Sequence, residues 1–128
     1  MNVSAIYDII RLEHLTWNSQ SLGRVYKSEP ISDENLLLEM QDKRNALIDQ
    51  LSGMDDNLAD VVISNEGFEK VTNDMIYTAL RQATCSQKVV PVLLGSAYKN
   101  VGIQKLLDAV IDYLPQPQER NQVYDCFE

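Results

Sequence analysis

Apolar positions in this chain first alternate in short runs, then recur at helical spacing from Pro30 onward, and then merge into one continuous apolar run near residue 90. In residues 3–17, VSAIYDIIRLEHLTW, they alternate at Ile10 and Leu12 and change phase at Leu15 and Trp17. The shift at Glu13-His14 predicts a bulge or a turn between two short strands. NSQSLGR has the composition of a loop, and VYK before Pro30 predicts a third short strand. Ser32 is the expected N-cap of a helix, with Asp33 and Glu34 in a first turn where the helix dipole favours anions. Leu37, Met40, Leu47, Ile48 and Leu51 share one face of that helix, which is expected to stop near Gly53. Asp55 or Asp56 can cap a second, short helix through Leu58, Val61 and Val62. A third helix is expected to start at Thr72 and to bury Ile76, Ala79, Leu80 and Ala83, spaced i, i+3, i+4, i+7.

The run KVVPVLL reads as a strand over Val89–Leu94 covered on both faces. Pro91 cannot donate to a ladder, so it belongs near the strand's start or where one neighbour is missing. After the small-residue corner Gly95-Ser96-Ala97 comes the clearest helical pattern, with Ile103, Leu106, Leu107, Val110, Ile111 and Leu114 on one face and Pro115 and Pro117 closing it. Residues 118–128 read as a linker.

Composition narrows the function classes. The chain has 128 residues, 45% hydrophobic and 23% charged, the size and balance of one globular domain. The start, MNVSAIYDIIRLE, has neither the basic residues nor the cleavage site of a secretory signal, and Asp8 and Glu13 are unlike a transit peptide. No apolar run approaches the roughly 20 residues that span a bilayer, so no membrane role is expected. Cys85 and Cys126 form no metal spacing or disulfide framework and are expected as reduced thiols. The segment 29–74 holds twelve of the 19 acids against three bases, so it accounts for the whole of the net charge of −8. Such a surface repels phosphate backbones, which argues against direct DNA binding.

Candidate chemistry is sparse. His14 is the single histidine, with no second base, serine motif or paired thiol to work with, and reads as an edge residue. Asp55, Asp56 and Asp60 miss the calcium-loop pattern and read as helix caps and a solvated face, so no metal site is expected. Trp17, Tyr26 and Tyr7 lack interleaved basic residues and read as packing, not as a stacking platform. The Gly95-Ser96-Ala97 corner is different: small residues after a strand let a ligand approach outward-pointing amide groups.

The stretch VPVLLGSAYKNVGIQKLLDAVIDYLPQP resembles the end of the GTPase domain of the elongation factor G family. AIYDIIRLEHLTW resembles the strand pair that opens the family's inserted subdomain, and residues 33–85 its helical part. The resemblance runs from about Val3 to Asn121. It implies an α/β fold in three parts: an α+β inserted subdomain at 1–87, the last strand, guanine-contacting turn and last helix of a P-loop GTPase core at 88–117, and a linker at 118–128. It implies guanine binding at Ser96, Ala97 and Tyr98, with the Ala97 amide on the guanine oxygen. Tyr98 and Val101 depart from the commoner family residues, Phe or Leu, and Lys.

No G-x-x-x-x-G-K-[ST] phosphate loop, D-x-x-G or N-K-x-D occurs in the chain. It is therefore expected to be an incomplete domain, inactive as an enzyme alone, with GTP and its Mg²⁺ held mostly by residues of a longer parent. RNALIDQLSGMDDNLADVVI and PQERN resemble the branch that disassembles mitochondrial ribosomes with the ribosome recycling factor. The resemblance thus implies the mitochondrial matrix as location and the mitochondrial ribosome, its stalk protein and the recycling factor as partners. Glu34, Glu39 and Asp42 are the candidate stalk contacts. A mitochondrial elongation translocase and a stand-alone acidic helical interaction module are the alternatives.

Overall fold

The computed structural model describes residues 5–17, 22–64 and 67–119. Glu66, Cys126 and most of the expected linker lie outside the described residues. Three strands, β1 (Ala5–Asp8), β2 (Glu13–Trp17) and β3 (Tyr26–Pro30), form an antiparallel sheet in that order. Ile6 stands opposite Leu15, and Leu15 opposite Ser28. The β1–β2 turn lies at Ile9–Leu12, earlier than the phase change at Glu13-His14 suggests. Its cause is local: the Asp8 carboxylate accepts from the amides of Ile10 (3.0 Å) and Arg11 (3.1 Å), which folds the chain back at once.

Four helices follow: α1 (Glu34–Ser52), α2 (Asp56–Ser64), α3 (Asn73–Cys85) and α4 (Ile103–Tyr113). The cap of α1 is Asp33, not Ser32; its Oδ1 accepts from the amides of Asn35 (3.0 Å) and Leu36 (3.3 Å). A carboxylate there answers the helix dipole as well as the open amides, which a serine one residue earlier does not do. Gly53 ends α1 as expected. Asp55 caps α2 through the Leu58 amide at 2.9 Å, and Thr72 caps α3 through the Met75 amide at 3.4 Å.

The core lies among the helices. Ile48, Leu51, Leu58 and Ile76 are almost wholly buried, together with Ala79, Leu80 and Ala83 of α3 and Ala109 and Tyr113 of α4. Ile10 and Val71 close the cluster from the β1–β2 turn and the loop before α3. Arg44 ties these pieces together. Its Nε donates to the Ile10 carbonyl at 3.1 Å, and its Nη2 donates to the Val71 carbonyl at 3.1 Å and to Asn73 Oδ1 at 3.0 Å. Burial pushes this guanidinium below its usual pKa, yet three acceptors offset part of that cost.

One expectation, the strand at 89–94, fails, and it does so beside an open face of α4. Helix α4 does not bury its apolar stripe; Ala109 and Tyr113 are buried instead, while Leu107 is 60% and Ile111 76% exposed. The 89–94 segment is not a strand, and it finds no ladder partner among the described residues. Val90 and Val92 are 82% and 84% exposed, while Val89 and Pro91 are half-buried in a groove against α4 that Val90 also lines. The physical reason is shared. A strand needs a neighbour to pair with, the sheet β1–β3 lies elsewhere, and α3 covers only the side of α4 that carries Ala109 and Tyr113.

These features set two expectations. Arg44→Met, which keeps the stem and removes the donors, should destabilise the chain by about 2–3 kcal/mol in urea unfolding, because partly buried carbonyls lose their partners. Lys43→Ala breaks only the exposed pair with Glu39 (3.2 Å) and should cost no more than about 0.5 kcal/mol. Equal effects would remove Arg44 from its tying role. The exposed stripe and the unpaired segment should also drive self-association. Sedimentation should show mass rising with concentration, and Val92→Lys with Ile111→Lys should restore the monomer.

Candidate functional site

The turn that follows the unpaired segment is built by a backbone crossing. Ser96 and Val101 form an antiparallel bridge, the Ser96 amide donating to the Val101 carbonyl (2.8 Å) and the Val101 amide returning to Ser96 (3.0 Å). Between them Ala97–Lys99 make a single 3₁₀ turn, with the Lys99 amide on the Ser96 carbonyl (3.2 Å) and the Asn100 amide on the Ala97 carbonyl (3.2 Å). Asn100 closes the turn in the left-handed region at φ 54°. Gly102 then starts α4 at φ 80°, and a Cβ there would lie 2.7 Å from the Leu94 carbonyl and 3.2 Å from Gly95 Cα. Only glycine permits this approach.

Sequence reasoning put Ser96, Ala97 and Tyr98 at one site, and they do form one turn. Ala97 is exposed, and Tyr98 is 96% exposed. Neither the Ala97 nor the Tyr98 amide donates to an acceptor among the described residues, while the Ser96, Lys99, Asn100 and Val101 amides are engaged within the turn. The corner therefore offers two adjacent donors left open among the described residues, on an exposed frame fixed by hydrogen bonds and a close backbone crossing. Chemically it can hold an acceptor such as a carbonyl oxygen. No phosphate-binding loop accompanies it in this sequence.

The turn is also held from outside. Asn100 Nδ2 donates to the Leu22 carbonyl (3.1 Å), and Gln104 Nε2 donates to the carbonyls of Gly23 (2.8 Å) and Arg24 (3.2 Å). Gln104 Oε1 accepts from Trp17 Nε1 at 3.4 Å, and the Trp17 ring lies 5.6 Å from that of Tyr26. Lys105 completes the contact, with its Nζ 3.7 Å from Asp8 Oδ2 and 5.8 Å from the Tyr26 ring centre. Sequence reasoning missed Asn100 and Gln104. The available signal was an asparagine just before Val-Gly, a residue type that tolerates the left-handed region.

The other candidates fall apart from this corner. His14 stacks on Tyr7 at 4.9 Å across the sheet and meets no second catalytic group among the described residues. Asp55 serves as the α2 cap, and no three His, Cys, Asp or Glu converge as a cation site among the described residues. Cys85 is an exposed free thiol whose Sγ lies 3.7 Å from the Tyr113 carbonyl. Glu34, Glu39 and Asp42 are all exposed on α1, and Glu39 and Asp42 lie on the side turned away from Met40, Ile48 and Leu51. Glu34 also sits in the first helical turn, and Glu39 is paired with Lys43. On the far side of α3, Arg81 donates to the Ile111 (3.3 Å) and Asp112 (2.9 Å) carbonyls and so caps the C-terminus of α4. Beside it, burial raises the Tyr113 hydroxyl above its usual pKa, with Tyr77 adding to the effect. No described helix is long and apolar enough to cross a membrane.

Comparison with known proteins gives a consistent picture. A sequence profile described as the elongation factor Tu GTP binding domain matches residues 28–116. The chain is 64% identical over 123 residues to "Ribosome-releasing factor 2, mitochondrial" of Drosophila persimilis, covering 96% of this chain and 17% of the relative. The protein of the same name in Drosophila melanogaster is 62% identical over 98% of this chain and 17% of its own length. The chain thus spans about one sixth of the length of these relatives. A crystal structure of a Thermus thermophilus protein shares the fold with a TM-score of 0.72 at 19% identity, over 89% of this chain and 16% of that one. On the profile match across most of its length, with the fold in agreement, the chain belongs to the elongation factor Tu GTP-binding domain family.

Proposed function

We propose that this chain is the inserted subdomain (1–87) and the guanine-contacting end (88–117) of a translational GTPase that disassembles mitochondrial ribosomes together with the ribosome recycling factor, followed by a linker at 118–128. The observation that carries the site is the pair of open amides on the exposed turn, Ala97 and Tyr98. They fit the guanine base, with the Ala97 amide donating to its carbonyl oxygen and Ser96 holding the turn through both its backbone groups. GTP supplies the phosphoryl group for hydrolysis, and its phosphates and Mg²⁺ fall to residues outside this sequence. The relatives' names support ribosome release over elongation and a mitochondrial location, within which this reading assigns the matrix.

The acidic side of α1 supports a docking role. Glu34, Glu39 and Asp42 are each exposed, and a negative surface speeds encounter with a basic patch, here assigned to the ribosomal stalk protein.

A single base contact contributes about 1–3 kcal/mol, so this chain by itself should bind GTP more weakly than roughly 1 mM. The site is therefore tested in a chimaera where the chain replaces the matching 123 residues of the Drosophila persimilis factor. Ala97→Pro deletes the donor without adding charge, and should weaken GTP by about 1–3 kcal/mol. ITP keeps the same oxygen and should weaken by a similar factor, whereas ATP should stay poor or gain. A folded variant with unchanged GTP affinity would make the corner purely structural, as the interaction-module reading holds. In the same chimaera, Glu34→Lys, Glu39→Lys and Asp42→Lys together should slow association with the stalk protein at low salt by about tenfold and flatten its salt dependence. An unchanged association rate removes the docking role.

A further inference from the structure

Leu22–Arg24, just before β3, lie against the proposed base-contacting turn. Gly23 sits at φ 74°, and a Cβ there would fall 2.5 Å from the Lys99 carbonyl and 2.7 Å from Asn100 Cβ. Leu22, beside it, holds φ 51°, a conformation that costs a bulky residue free energy and persists only when its surroundings impose it. Two side chains impose it. Asn100 binds the Leu22 carbonyl, and Gln104 binds the carbonyls of Gly23 and Arg24. Asn100 is the residue that closes the Ala97–Lys99 turn, and Gln104 lies in the first turn of α4.

We propose that Asn100 and Gln104 are positioning residues that fasten the Leu22–Arg24 corner to the Ser96–Lys99 turn, so that the three-stranded sheet sets the geometry of the base-contacting amides. The inference rests on the guanine reading of that turn. The connection runs through hydrogen bonds without a break. Trp17 of β2 donates to Gln104, whose amide holds the corner that leads into β3, and Asn100 holds the same corner from the turn. Lys105, between Asp8 of β1 and the Tyr26 ring of β3, keeps the sheet against the start of α4. A displacement of the sheet therefore bears directly on the residue that ends the turn.

Two measurements test this. Asn100→Gly keeps the left-handed backbone free and deletes the Leu22 bond, and Gln104→Met keeps the length while deleting the other three. In the 128-residue chain carrying both, amide hydrogen exchange at Ser96 and Val101 should quicken by about tenfold, with protection in α3 unchanged. In the Drosophila chimaera the same pair should weaken GTP and ITP by about tenfold and lower the preference for GTP over ATP, with the rate of phosphate release at saturating GTP less affected. Gly23→Ala, which wedges the corner away from Lys99 and leaves every side-chain donor in place, should act in the same direction. A loss confined to thermal stability, with base preference intact, overturns the proposal. So does faster exchange at Ser96 and Val101 without any change in nucleotide affinity. Ala97→Pro separates the two levels. If it weakens GTP and the Asn100/Gln104 pair does not, only the positioning role fails; if Ala97→Pro has no effect, the guanine reading fails and this inference with it.

Discussion

The buried stripe of α3 is the constraint on which the rest of the molecule depends. Ile76, Ala79, Leu80 and Ala83 face α1, α2 and α4 in one cluster, so a single helix is shared by every other helix. Two of the four are alanines, and α4 answers with Ala109, which lets the two helix backbones approach closely. Tyr113 then fills the space one turn on, stacked at 6.2 Å on Tyr77 of α3. Once α4 is held by its small face, its large aliphatic face has to point outward. The exposed stripe is thus a consequence of where α3 grips the helix, not an accident of the surface.

Polar groups carry out the joining that apolar contacts leave undone. The β1–β2 turn touches the helical core through Ile9 and Ile10, and Arg44 secures it by binding backbone carbonyls from two loops at once. Arg11 adds a second tie, donating from Nε to the Tyr77 hydroxyl at 3.2 Å, a bond that raises its own pKa. Arg81 does the equivalent at the other end of α3 by capping α4. Each arginine spans segments remote in sequence and satisfies groups that would otherwise be left open. The acids of the 29–74 segment, by contrast, lie mostly at helix starts and along α1, where they stabilise locally and leave the segment's charge free to act at a distance.

What the sequence made legible follows from how local each determinant is. The caps Thr72 and Gly53 and the α3 stripe were readable because each is decided within a few residues. The α1 cap was missed by one position, since Ser32 and Asp33 are both good caps and the choice turns on which carboxylate or hydroxyl meets the amides. The β1–β2 turn was misplaced because Asp8 bends the chain through its side chain, which hydrophobic phase does not record. Helix α4 was legible as a helix and not as a packed face: periodicity shows which side is apolar, never what lies against it. Val89–Leu94 failed in the same way, because a strand exists only with a partner. At the site, the small-residue corner was readable from Gly95, Ser96 and Ala97. Its outer brace was not, since Gln104 and Gly23 are 81 residues apart and neither carries a motif.

The position of the turn in the fold gives this distribution a functional sense. Ser96–Lys99 lies between two packing units, the helical cluster through α4 and the sheet through Gln104, Lys105 and Asn100. Its own frame is short, one bridge and one 3₁₀ turn, and by itself would fray as an isolated loop does. Fixing it from both sides holds the turn while leaving the Ala97 and Tyr98 amides without an internal acceptor among the described residues. The proposed base contact, made by one or two donors, needs that rigidity, because a donor displaced by an ångström loses most of its hydrogen bond. Asn100 satisfies both demands at once. Its backbone tolerates the left-handed turn that frees the two amides, and its side chain ties that turn to the sheet.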